Sequence, residues 1–179
     1  MEPDDVDGVP AEMVFGVDVA PNQEWAAIVA ASESDGRVLV ELTNADGVFD
    51  HRPGMDWLSD RVRALAVLIP GAVFAFAAGS AFEALVPELE RDGVVLRRVL
   101  RRDVAAACGY FMELVQSGRL AHLGQDDLTE SVMAARTKTV GESAIVWVRN
   151  GLASLAPTYA ASLAAWQVNV GADPALNVW

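Results

Sequence analysis

A change of hydrophobic period near residue 54 constrains this chain more than any other feature of its sequence. Before it stand three apolar runs, Met13–Val19, Trp25–Ser32 and Arg37–Thr43. They are separated by the turn Ala20-Pro-Asn-Gln-Glu24 and by Ser34-Asp-Gly36, a hairpin turn signal. Runs of this length and composition read as strands, so the chain opens as a meander. After residue 54 apolar residues recur at spacings of three and four. Trp57, Leu58, Val62, Leu65 and Leu68 mark an amphipathic helix over about Gly54 to Leu68.

The second half then alternates. Ala72–Ala77 reads as a strand, and Ser80 caps a helix running through Leu85 and Leu89 to Asp92-Gly93. Val94–Val99 is a strand, followed by a helix over Asp103–Ser117 that carries Ala107, Tyr110, Phe111 and Leu114 on one face. Arg119–Leu123 is short and extended, Asp126–Ala135 helical, Ala144–Val148 a strand, and Pro157–Val168 a helix with proline in its first turn. A meander followed by β-α-β units predicts an α/β fold: a mixed sheet with helices on both faces.

With 179 residues, the chain supports one good core. The expected organisation is an acidic leader over 1–12, one domain over 13–170 and an irregular tail over 171–179. The leader lacks the basic and apolar regions of a signal peptide, and no run is long and apolar enough for a membrane helix. Cys108 is the only cysteine, which excludes an internal disulfide and reads as a small buried residue. A cytoplasmic protein is expected. The net charge of −12 sets 25 carboxylates against thirteen basic residues, so nucleic acid cannot be held by overall charge. Contact with it must be local.

Several segments, in order, resemble the C-terminal nuclease domain of the large terminase subunit of tailed phages, most closely the actinobacteriophage type. They are VFGVDVAPNQEWAAIVAA, DHRPGMDWL, AAGSAFEALVPELERDGV, ACGYFMELVQSGRLAHLGQDDL and LASLAPTYAASLAAW. Together they span about residues 13 to 168. The resemblance implies a ribonuclease H-like fold and DNA hydrolysis by two Mg²⁺ or Mn²⁺ ions, held by carboxylates that converge from the first strand, the fourth strand and the last helix.

Carried over residue by residue, the family pattern is incomplete. Asp18 matches the first-strand acid, and the resemblance makes it the catalytic metal position, a reading favoured over a carboxylate that caps a turn at the strand end. Phe76 stands where the second acid falls, just before Ala-Ala-Gly, and Ser154 where the third falls, three residues before the proline of the last helix. Thr129 also occupies a position that often carries a carboxylate in relatives. The expectation is weak or lost cleavage. Among other acids that could converge on Asp18 (Glu24, Glu41, Asp127, Glu130 and Glu142), Glu41 is favoured because the third strand lies near the first.

Arg97, Arg98, Arg101 and Arg102 form the one basic cluster, read either as a phosphate-binding site or as a solvated strand end. His51 and His122 read as turn-stabilising, and a Cys108–His122 nucleophilic pair is set aside for a buried thiol. No P-loop occurs, so a packaging ATPase or portal is expected as a separate partner, with DNA the other. Two further readings stay open: an active two-metal endonuclease drawing acids from unexpected positions, and a non-catalytic protein-interaction module.

Overall fold

The structure is a computed structural model that describes residues 13–149 and 153–171. The expected leader, and the tail beyond Gly171 with Trp179, lie outside the described residues.

The opening meander is β1 (Val14–Val19), β2 (Trp25–Ser34) and β3 (Arg37–Leu42). Asp35 and Gly36 both adopt positive φ, the backbone that a tight hairpin with right-handed strand twist requires. Two short pieces not anticipated from sequence follow: the hairpin β4 (Asn44–Ala45) with β5 (Val48–Phe49), then β6 (His51–Pro53), which pairs antiparallel with the start of β2. Because residues 51–53 are extended, the first helix, α1 (Leu58–Leu68), begins later than its apolar spacing suggested.

Next come β7 (Val73–Ala77), a 3-10 turn at Ala81–Leu85, α2 (Val86–Arg91), β8 (Val95–Val99) and α3 (Arg101–Gln116). They lead to β9 (Leu120–His122), α4 (Asp126–Ala134), the hairpin β10 (Arg136–Val140) with β11 (Ala144–Val148), and α5 (Ala156–Gly171). The main sheet runs β8-β7-β1-β2-β3-β9, with β7 and β8 parallel to β1 and the meander antiparallel. The meander-then-crossover order read from the sequence is therefore realised. The strand expected at Ala144–Val148 pairs instead with β10 in a separate two-stranded ribbon.

Pleating divides the interior into two cores. Phe15, Val17, Val19, Phe74 and Phe76 pack with α1 and α2 on one side of the sheet. Val29, Val38, Val40 and Leu42 pack with α3, α4 and α5 on the other. Helix α5 is buried along most of its length through Ala156, Ala160, Ala161, Leu163, Ala164 and Ala165, as a helix apolar all round must be. It lies so close to β1 that a Cβ on Gly16 would fall 1.9 Å from the Ala160 carbonyl oxygen. Only glycine admits that approach. No helix among the described residues is long and apolar enough to cross a membrane.

Candidate functional site

The close packing of α5 on β1 creates the setting of Asp18. Strand residues alternate faces, so Gly16 and Asp18 look toward α5 while Val17 and Val19 look away. Asp18 lies near the end of β1, 3% exposed. Its Oδ1 accepts a hydrogen bond from Arg149 Nη2 at 2.8 Å, an ion pair across 131 positions of sequence. Its Oδ2 is buried without a partner among the described residues. Burial pushes the carboxyl above the ordinary aspartate range, and the charge and hydrogen bond of Arg149 oppose that shift only in part.

Arg149 is placed by the β11 strand that precedes it. Trp147 anchors that strand: its ring meets Phe111 edge-on at 6.1 Å, and its Nε1 donates to Ser162 Oγ on α5 at 2.9 Å. Tyr159, one helical turn before Ser162, donates its hydroxyl to the Trp147 carbonyl at 2.5 Å. The Arg149 guanidinium stacks over the same Tyr159 ring, 4.1 Å from its centroid. Burial pushes the Tyr159 phenol up to about 12. The arginine is thus clamped between a carboxylate and an aromatic face.

A cleft of about 440 Å³ opens beside this pair, lined by Asp18, Ala77, Ser80, Arg101, Arg149 and Tyr159 among others. Ser80 Oγ is buried there without a partner among the described residues, although the backbone of Ser80 does precede the helical turn that it was expected to cap. A second cleft of about 330 Å³ shares Pro21 and Arg149 with the first and carries Glu24, Trp25 and Ser154.

Several expected site residues do not meet Asp18. Phe76 was expected to fill the space of an ion beside it. Instead it pairs with Val17 on the opposite face, its ring 4.9 Å from that of Phe82 in the other core. The side chains of β7 on the Asp18 face are Ala75 and Ala77, so a methyl group stands there. Glu41 is corrected for the same reason: it pairs with Ala30, which faces α1. Asp127 is engaged with His51, whose Nδ1 lies 2.7 Å from its Oδ2. His51 therefore ties β6 to α4, while His122 accepts from the Gly124 amide at 3.0 Å within its own turn. Thr129 lines a separate apolar cavity of about 210 Å³. Glu130 and Glu142 are exposed. Ser154 accepts from the Ala156 amide at 3.4 Å, at the start of α5.

The basic cluster divides. Arg98 forks onto Glu83, with Nε–Oε1 2.7 Å and Nη2–Oε2 2.8 Å, and lies over Phe76 on the far face. Arg102 has a loose contact with Asp103 at 3.8 Å. Arg97 lies exposed on the edge strand β8. Arg101 alone of the four lines the Asp18 cleft. Cys108 is fully buried and its thiol is pushed up to about 11 by burial, which removes it as a nucleophile.

The topology has close parallels among solved structures. The large terminase nuclease from thermophilic phage G20c matches with a TM-score of 0.64 at 16% identity, over 87% of this chain and 81% of that one. The same nuclease with bound magnesium matches at 0.60 and 16% identity, over 85% and 79%. The Thermus phage P74-26 large terminase nuclease domain matches at 0.61 and 16%, over 87% and 78%. The fold is ribonuclease H-like. At this identity the likeness is one of fold. No protein-family model matches the sequence, and no curated protein matches it.

On this ribonuclease H-like frame the residues present do not fit a pair of divalent ions. Magnesium and manganese take several oxygen ligands, with carboxylates supplying the balancing charge. Only Asp18, among the described residues, lines its cleft as an acid, and one of its oxygens is already held by a guanidinium. Among the described residues no three histidine, cysteine, aspartate or glutamate side chains come together as metal ligands. The residue that sequence reasoning missed is Arg149. Its one sequence signal is weak: a charge directly after the apolar strand AIVWV, with no acid near it in the chain.

Proposed function

We propose that the chain is a terminase-nuclease-like domain of phage or prophage origin, of the actinobacteriophage type, that serves DNA packaging with weak or no metal-dependent cleavage. The fold supports the nuclease-domain part of this reading, since the matching G20c domain has been solved with magnesium, zinc and cobalt bound. The loss of cleavage rests on one observation: the one carboxylate lining the cleft among the described residues is paired with Arg149, and alanines stand beside it. Two-metal hydrolysis depends on charge that concentrates cations around the scissile phosphate, and that charge is missing here.

In this reading DNA is the substrate class, a separate chain supplies the packaging ATPase or portal, and the protein works in the host cytoplasm. The test is a plasmid-nicking assay with Mg²⁺ and with Mn²⁺. No divalent-dependent nicking above background is expected. Nicking that requires the metal and disappears in Asp18→Ala establishes the competing reading, an active endonuclease in which Glu24, the carboxylate of the adjoining cleft, becomes the first residue to examine as a second ligand.

A further inference from the structure

Four features of the Asp18 cleft are unexplained by loss of cleavage alone. Arg149 occupies a fixed position, held by Asp18 and by the Tyr159 ring, when a free surface arginine would remain mobile. Arg101 enters the same cleft from the first turn of α3 and has no ion-pair partner among the described residues. A cation at a helix N-terminus is disfavoured by the helix dipole, so an arginine kept there implies a negative group nearby at least part of the time. Finally, two polar oxygens on the cleft wall, Asp18 Oδ2 and Ser80 Oγ, are buried without partners among the described residues, and of the two the Ser80 hydroxyl can donate to an anion. Unpaired buried oxygens carry a cost unless a donor or ligand meets them.

Other features of the molecule are accounted for or lack a ligand. The apolar cavity below α4 has no feature that selects an occupant, and both oxygens of the buried Asp50 are taken by Arg52, Arg61 and Thr43.

We infer that the Arg149 guanidinium stands where a divalent ion would supply positive charge, and that this cleft holds a phosphate-class anion on Arg149 and Arg101 without any metal. A guanidinium presents several planar N–H donors that match phosphate oxygens, and it is always charged. Arg149 uses one nitrogen on Asp18 and is 26% exposed at its side chain, so it faces the opening. Ser80 Oγ, a donor as well as an acceptor, lies on the same wall. The two arginines outnumber the one carboxylate, so the cleft is locally cationic on a chain of net charge −12. In the packaging reading, on which this inference rests, the anion is a DNA backbone phosphodiester; a free phosphate has the same recognition chemistry.

The full chain is titrated against a short fluorescent DNA duplex in excess EDTA and again with Mg²⁺. Inorganic phosphate forms a second arm, read as a rise in melting temperature in EDTA. Two variants are compared. Arg101→Gln alters an exposed side chain. The double variant Asp18→Asn with Arg149→Gln removes both charges together, so no lone buried carboxylate is left. Metal-free DNA binding is expected to match binding in Mg²⁺ and to weaken about tenfold in each variant, the size of a lost charge-assisted hydrogen bond. Phosphate binding without DNA binding, lost in the same variants, supports the anion site and removes the packaging ligand. DNA binding in EDTA that neither variant changes overturns the inference and leaves the packaging reading standing. Binding that EDTA abolishes and Mg²⁺ restores overturns the inference and, with it, the absence of a divalent-ion site. Binding of neither probe overturns the inference.

Discussion

Two buried aspartates in this molecule have opposite surroundings. Asp50 is fully buried between β5 and β6, and both of its oxygens are occupied. Oδ1 accepts from Arg52 at 3.0 Å, while Oδ2 accepts from Arg61 Nε and from the Thr43 hydroxyl, each at 2.6 Å. Its backbone also closes the short hairpin, through bonds to Thr43 and Ile28. Asp18 is almost as buried, yet it has one arginine, one orphan oxygen and an open cleft beside it. Saturation marks the first as structural. Incomplete satisfaction next to open space is the observation on which the proposed anion site rests.

The contrast can be tested through stability. Asp50→Ala leaves two arginines and a hydroxyl without their common acceptor, and should cost about 3–5 kcal/mol, as breaking a buried pair does. For a chain of this size that lowers the melting temperature on the order of 10 °C, measurable by circular dichroism. A drop of only a degree or two makes Asp50 as dispensable as a surface charge and ends the comparison. Thr43→Val removes one donor from the same cluster and should cost about 1–3 kcal/mol in a urea titration, with the m-value unchanged.

Asp18→Asn should have a much smaller effect, within about 1 kcal/mol, because the desolvation of Asp18 outweighs its attraction to Arg149, and Arg149 keeps contact with solvent when the carboxylate is gone. If it destabilises as much as Asp50→Ala, Asp18 is a fold residue and the cleft loses its claim to function. The smallest effect concerns alkali. Tyr159 is raised from 10.0 to about 12 by burial, so the folded state holds its phenolic proton more tightly than the unfolded chain does. Its contribution is whole below pH 10, the ordinary tyrosine value, and fades as pH climbs toward 12. Phenolate absorbance in an alkaline titration should show one tyrosine ionising late, together with unfolding, and Tyr159→Phe should remove that step. An early, fully reversible ionisation of both tyrosines would mean that the clamp on Arg149 is loose.

How far the sequence could be read depended on the range of the interaction. The hairpin at Ser34–Gly36, the apolar run Ala72–Ala77 and the last helix with proline in its first turn are local patterns, and they identified elements correctly. Matching by motif spacing was less safe. An offset of one residue on a strand sends a side chain to the other face of the sheet, which is how Phe76 came to be placed beside Asp18 when Ala77 shares its face. The large–small alternation Phe74, Ala75, Phe76, Ala77 already grouped Phe76 with Phe74, away from the small residues that α5 requires. Strand β10, the partner of β11, escaped notice because Arg136–Val140 is polar and wholly exposed, and so lacks the apolar period of a core strand.

By itself the sequence determined the order of the main strands and helices and the two-sided core, because periodicity and composition are properties of neighbouring residues. The tertiary structure decided which charges meet. Asp18 and Arg149 are 131 positions apart, and only the packing of α5 on Gly16 and of Trp147 on Ser162 brings them to 2.8 Å. Contacts of that range depend on how whole elements dock, and no local pattern in the chain encodes the distance between two side chains across a folded core.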